Sequence, residues 1–165
     1  MKKYFLFIFI VLVVSCNQKP ETAKSSASIE LFDEKTELDS IMHVIDNETK
    51  MFFAGNVEGW RASWSHKDYT SQAWNNSDGT ADVAKGWNAI NSQGSGWIVT
   101  YYKNGENVMH PDYKRSDIDI HFFSDSLAYL SWKQYNADKE KKYYRVSGES
   151  RIMEKEADGW KIVNV

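Results

Sequence analysis

The chain has 165 residues, with 20 basic and 23 acidic side chains and a formal charge of -3. Such a mildly acidic balance argues against nucleic acid as a partner, and against charge alone holding the chain on an anionic membrane. The length allows one hydrophobic core and not two.

Lys2 and Lys3 open the chain, and Tyr4 to Val14 follow as an unbroken apolar run. That run falls short of the roughly 20 residues needed to span a bilayer, and it reads as the apolar region of a signal peptide over residues 1–15. Val13-Val14-Ser15-Cys16 comes next and resembles the lipobox of bacterial lipoproteins, with small Ser15 before the cleavage point and Val14 less typical. Cys16 is the single cysteine of the chain. In an exported protein it has no internal partner for a disulfide, so lipidation is its expected use. Acyl chains on Cys16 would anchor the protein to a lipid bilayer, each buried methylene adding about 0.8 kcal/mol. Cleavage also removes Lys2 and Lys3, leaving 18 basic against 23 acidic residues, a net charge of -5. Residues 16–35 carry Ser, Lys, Ala and Pro without helical or strand period over most of their length and read as a flexible tether. Asn17 in place of Asp favours the outer membrane over the inner one. The expected location is the cell envelope, facing either the periplasm or the exterior.

A folded domain is expected over 36–165. Leu38, Ile41, Met42, Ile45, Thr49, Phe52 and Phe53 recur at helical spacing and predict an amphipathic helix from about Thr36 to Ala54. Gly55 is placed to stop it and Asn56 to cap a second helix, with Trp60 and Trp64 four residues apart on one face. A short strand is expected over Asp68–Trp74 and a turn over Asn75–Gly79. Gly86 opens a helical stretch that Gly94 and Gly96 are expected to break, and residues 104–116 read as a loop around Pro111. Four strand-like runs close the chain, at Asp117–Phe123, Leu127–Ala137, Tyr143–Lys155 and Trp160–Val165. The short breaks between them demand antiparallel neighbours, and helices on one side of such a sheet make an α+β architecture.

Three segments carry a family resemblance: the long helix running into Asn56–Trp64 with His66-Lys67-Asp68-Tyr69 behind it, Gly86-Trp87-Asn88-Ala89-Ile90, and Glu149-Ser150-Arg151-Ile152-Met153-Glu154-Lys155 leading through Asp158-Gly159 to Trp160-Lys161-Ile162-Val163. In order and spacing they resemble the SnoaL-like branch of the nuclear transport factor 2-like superfamily. The resemblance implies a cone-shaped fold, a curved antiparallel sheet around N-terminal helices with a deep pocket, and a homodimer through the sheet's outer face. It leaves the chemistry open, because relatives include isomerases, cyclases, dehydratases and plain binding domains.

Aromatic residues make up 15% of the chain, with seven Trp, which suits either a core of large rings or an aromatic-lined pocket. For a pocket holding a small, partly apolar ligand, the candidates are Trp60, Trp64, Trp87 and Trp132, with His66 near the expected mouth and Tyr69, Gln134 and Arg151 as polar anchors. Asp117, Asp119 and His121 alternate along one strand and so share a face. Asp119 and His121 are the candidate acid–base pair; the competing reading is a solvated face opposite Ile118, Ile120 and Phe122. No phosphate-binding Gly loop, nucleophile elbow or paired-His zinc motif is present, so no cofactor or metal is expected.

Overall fold

The computed structural model describes residues 32–76, 78–103, 106–107, 112–137 and 143–165. Cys16, the expected signal peptide, most of the expected tether and the charged segment 139–142 lie outside the described residues. The elements run α1 (Glu34–Phe53), α2 (Val57–Arg61), β1 (Ser71–Asn75), β2 (Ala81–Lys85), α3 (Trp87–Tyr101), β3 (Tyr102–Lys103), β4 (Glu106–Asn107), β5 (Asp112–Ser124), β6 (Leu127–Ala137), β7 (Tyr143–Glu156) and β8 (Gly159–Asn164). Among the described residues no helix is long and apolar enough to cross a membrane.

Helix α1 begins two residues before Thr36 because Asp33 caps it, its carboxylate accepting from the Lys35 N–H at 3.1 Å and from the Thr36 hydroxyl at 2.7 Å. Gly55 follows with φ 72°, the left-handed conformation that ends the helix. The Asn56 Oδ1 then accepts from the Gly59 N–H at 2.9 Å and starts α2. Replacing Asn56 by Ala is expected to cost about 1 kcal/mol, read as a lower midpoint in urea unfolding with unchanged slope. Helix α2 is one turn shorter than the Trp60–Trp64 spacing requires. Trp64 lies beyond it in extended backbone, bridged in parallel to Ile162, although its ring still packs 5.8 Å from that of Trp60.

The six strands β2-β1-β8-β7-β6-β5 form one sheet. The last four make the expected antiparallel meander, with Leu127–Ala137 as predicted. Strand β1 joins β8 in parallel, so the sheet is mixed, and the Ala73 N–H donates to the Val165 carbonyl at 2.9 Å. Strand β2 was not expected; it is the return arm of a hairpin whose turn the sequence did mark. Strand β5 starts at Asp112, inside the segment expected to be a loop. The register slips between Ser116 and Asp119, where Asp117 has φ 55°. That bulge interrupts the period-two pattern by which the strand would have been recognised.

Helix α3 is continuous through both glycines, and Trp97 to Tyr101 complete it despite their strand propensity. The reason lies in packing: Ile90, Gly94 and Ile98 form its buried face. Together with Ile41 and Ile45 of α1, Trp60, Trp64, Leu130, Trp132, Met153, Trp160 and Ile162, Ile90 and Ile98 belong to a single core between helices and sheet.

Candidate functional site

The apolar stripe of α1 contains one residue out of character. Glu48 falls three positions after Ile45 and four before Phe52, on the side that faces the sheet. Its Oε1 accepts from the Trp60 indole N–H at 2.9 Å, and its Oε2 lies 3.3 Å from the Thr49 hydroxyl. Burial pushes the Glu48 carboxyl above its ordinary range, opposed by the positive charge of Arg151 and then by the Trp60 hydrogen bond. Thus a half-buried carboxyl whose pKa is raised sits under the inner face of the sheet.

Alternation along the strands supplies the other wall. On β6, Trp132, Gln134 and Asn136 share a face, and on β7 Arg145, Ser147, Glu149 and Arg151 share the face paired with it, since Trp132 stands opposite Glu149, Gln134 opposite Ser147 and Asn136 opposite Arg145. Arg115 of β5 pairs with Gln134 and is nearly enclosed, its side chain 6% exposed. Its Nε donates to Gln134 Oε1 at 3.2 Å, its Nη1 to Asp46, and its Nη2 to Thr49 Oγ1 at 2.9 Å. The Trp132 ring lies between two guanidiniums, 5.5 Å from that of Arg115 and 5.0 Å from that of Arg151. Such contacts contribute about 0.5–2 kcal/mol each and fix the orientation of both cations.

Between these walls lies a cavity of about 240 Å³. Glu48, Thr49, Phe52 and Phe53 line it from α1; Gln134, Asn136, Ser147, Glu149, Arg145 and Arg151 line it from the sheet. Its lining combines an apolar side formed by two rings with several convergent polar groups, one of them a carboxyl whose pKa is raised. Among the described residues, no group of His, Cys, Asp and Glu is arranged to hold a metal.

The residues singled out from the sequence separate into four places. Gln134 and Arg151 line the cavity, Trp132 lies beneath Arg151, and Trp60 anchors Glu48 from the core side, where it is 1% exposed. Trp64, His66 and Trp87 build an aromatic column with Trp60 on the other side of the core: the exposed His66 stacks on Trp87 at 4.0 Å, and its Nε2 donates to the Arg61 carbonyl at 3.1 Å. Tyr69 is exposed and donates its hydroxyl to Glu154 at 2.5 Å, in a cluster where Lys67 reaches the same carboxylate at 2.6 Å and holds it below the usual glutamate range. Asp119 and His121 are exposed on β5, on the face opposite Ile120 and Phe122, while Asp117 pairs with Lys133 at 2.9 Å. Neither Asp119 nor His121 reaches the cavity. Asp119→Ala and His121→Ala are each expected to change unfolding free energy by less than about 0.5 kcal/mol, measured by chemical denaturation.

Glu48, Thr49, Arg115, Arg145, Ser147 and Glu149 were not singled out. A signal for Glu48 existed, since an acid inside an apolar helical stripe is either paired or functional. Arg115 lay in a segment read as loop. For Arg145, Ser147 and Glu149 the signal was period-two alternation with the recognised Arg151.

A scan against protein-family models gives no match, and no curated protein sequence matches the chain. Solved structures do. The association domain of the Caenorhabditis elegans calcium/calmodulin-dependent protein kinase II superposes with a TM-score of 0.60 at 16% identity, over 79% of this chain and 94% of that one. A candidate dehydratase of the nuclear transport factor 2-like family from Streptomyces avermitilis gives 0.57 at 10% identity, over 80% and 95%. A candidate scytalone dehydratase from Novosphingobium aromaticivorans gives 0.55 at 15%, over 79% and 81%. At these identities the common property is the fold: this chain shares the fold of these structures.

Proposed function

We propose that this chain is a lipoprotein of the bacterial cell envelope, anchored through Cys16, whose folded domain holds a small, partly apolar ligand in the cavity between α1 and strands β6 and β7. The observation that carries this reading is Glu48: a half-buried carboxyl of raised pKa at the edge of a cavity it shares with Arg151 and two phenylalanines. Burying a carboxyl costs stability, and a fold that needed only a core would fill this position with an apolar side chain. The lysine pair, the apolar run and Ser15-Cys16 support the anchoring; Asn17 favours the outer membrane.

The competing reading is an acid–base enzyme of the isomerase, cyclase or dehydratase type. A carboxyl with a raised pKa is better placed to donate and recover a proton, so Glu48 is the group that would carry such chemistry, rather than the exposed Asp119 and His121. Two of the similar structures bear dehydratase names, which supports it. An interaction role through a homodimer finds support in the association domain and in the exposed Phe123, Leu127 and Tyr129 on β5 and β6.

Native mass spectrometry of the full chain, extracted in detergent from a bacterial envelope, tests the first reading. The expected spectrum has a covalent lipid mass lost on Cys16→Ala and a separate non-covalent mass that survives that substitution. A bare polypeptide carrying neither mass contradicts the proposal.

A further inference from the structure

The donors around the cavity are unevenly used. Arg115 uses all three of its guanidinium nitrogens, on Gln134, Asp46 and Thr49. Arg151 is largely enclosed, its side chain 11% exposed, yet its hydrogen bonds leave from Nη1 alone: 2.7 Å to the Ser150 carbonyl and 3.3 Å to Glu149 Oε2. Its Nε is buried with no partner, and Nη2 has none among the described residues. The Nε–Nη2 edge is the fork on which a carboxylate makes two parallel hydrogen bonds. A buried donor left unmade costs about 1–3 kcal/mol, and native proteins carry few of them.

Arg145 lines the cavity and forms no ion pair among the described residues. The Glu149 carboxylate is occupied by the Ser147 hydroxyl at 2.7 Å and by Arg151 Nη1. Arg151 is ion-paired with Glu149 at 3.3 Å and attracts Glu48 without an ion pair between them. Two arginines and two acids thus line the cavity, beside the apolar surface of Phe52 and Phe53, whose rings meet edge to face at 5.5 Å. An engineered cavity of about 150 Å³ holds benzene. The 240 Å³ present here has room for such a ring with a carboxylate attached.

We infer that the cavity takes a small monocarboxylic acid, its carboxylate on the Nε–Nη2 edge of Arg151 with Arg145 beside it and its apolar body against Phe52 and Phe53. This inference rests on the reading of the cavity as a ligand site and names the class of ligand.

The test uses the full chain in detergent with benzoate as probe and benzamide as its neutral counterpart, followed by tryptophan emission, since Trp132 lies beneath Arg151, and by calorimetry. Benzoate is expected to bind at least tenfold more tightly than benzamide. Arg151→Lys keeps the charge, removes the fork, and is expected to weaken benzoate about tenfold or more. Arg145→Gln changes an exposed position that folding does not need, and is expected to weaken benzoate severalfold with an unchanged melting temperature. Equal binding of the two probes, or benzoate binding indifferent to both substitutions, overturns the inference. Where neither probe binds but the envelope-extracted protein carries a neutral adduct, the inference fails and the ligand site stands; where there is no adduct either, both fail.

Discussion

Glu48→Gln is expected to stabilise the protein at pH 8 and to leave its stability at pH 4 almost unchanged. The substitution keeps shape and keeps an oxygen for the Trp60 indole N–H, so it removes little except the ability to ionise. The folded-state pKa of Glu48 lies above its ordinary value of 4.5, so the folded protein binds this proton more tightly than the unfolded chain does. Stability then falls as pH rises from the ordinary glutamate pKa through the folded one, and above that the full cost of the buried charge is present. Gln at this position never incurs the cost. The gain at pH 8 should appear as a melting temperature higher by several degrees, on a scale where 1 kcal/mol moves a domain of this size by roughly 3–6 °C. Thermal scans of the two proteins across pH check it. A variant less stable than the parent at pH 8 would show Glu48 to be a charged partner of Arg115 and Arg151 whose loss strands them.

Gly94 and Gly96 lie two residues apart in α3, and their replacement by Ala is expected to act with opposite sign. A Cβ on Gly94 would stand 2.2 Å from Cη2 and 2.4 Å from Cζ2 of Trp60. Trp60 cannot retreat, being 1% exposed, packed on Trp64 and Trp87, and tied by its indole N–H to Glu48. Gly94→Ala should therefore cost about 2–4 kcal/mol, the upper part of the range for overpacking. It should also disturb the cavity, because Trp60 holds Glu48. Around Gly96 nothing lies within 4 Å of an added Cβ, and the site is exposed inside a helix. There Ala replaces a residue of high backbone entropy and should gain about 0.5–1 kcal/mol. Urea unfolding of both variants decides the matter; equal effects would mean that α3 packs on Trp60 less closely than described.

This pair also explains why α3 was expected to be broken. Two glycines and the run Trp97-Ile98-Val99-Thr100-Tyr101 argue locally for a helix that stops and a strand that follows. Gly94 is there for the approach of Trp60, a contact between residues far apart in sequence, and Ile98 joins the same buried face. Where local rules suffice, the reading held: Gly55 and Asn56 mark the end of α1 and the start of α2, and the period-two runs of β6, β7 and β8 give the meander. Strand β5 was half visible because Asp117 breaks its alternation, which hid Arg115.

The site was legible in part for the same reason. Gln134 and Arg151 were named from the sequence as polar anchors of a pocket, and both line the cavity. The tryptophans drew attention by abundance, and their positions depend on how α2 and α3 pack. Trp60, Trp64 and Trp132 are buried, and of the seven in the chain none lines this cavity. Glu48 was overlooked because a helical stripe counted by its apolar members passes over the one acid within it.

The most direct test of the central claim is to close the cavity and ask whether the bound molecule leaves. Ser147 lines it from β7, and Ser147→Phe would place a ring there. Native mass spectra of the parent and of this variant, both purified in full length from the envelope, should differ by loss of the non-covalent mass in the variant. The circular dichroism of the two should be the same. A variant that folds and still carries the full complement of that mass would put the ligand elsewhere on the protein and contradict the assignment of this cavity.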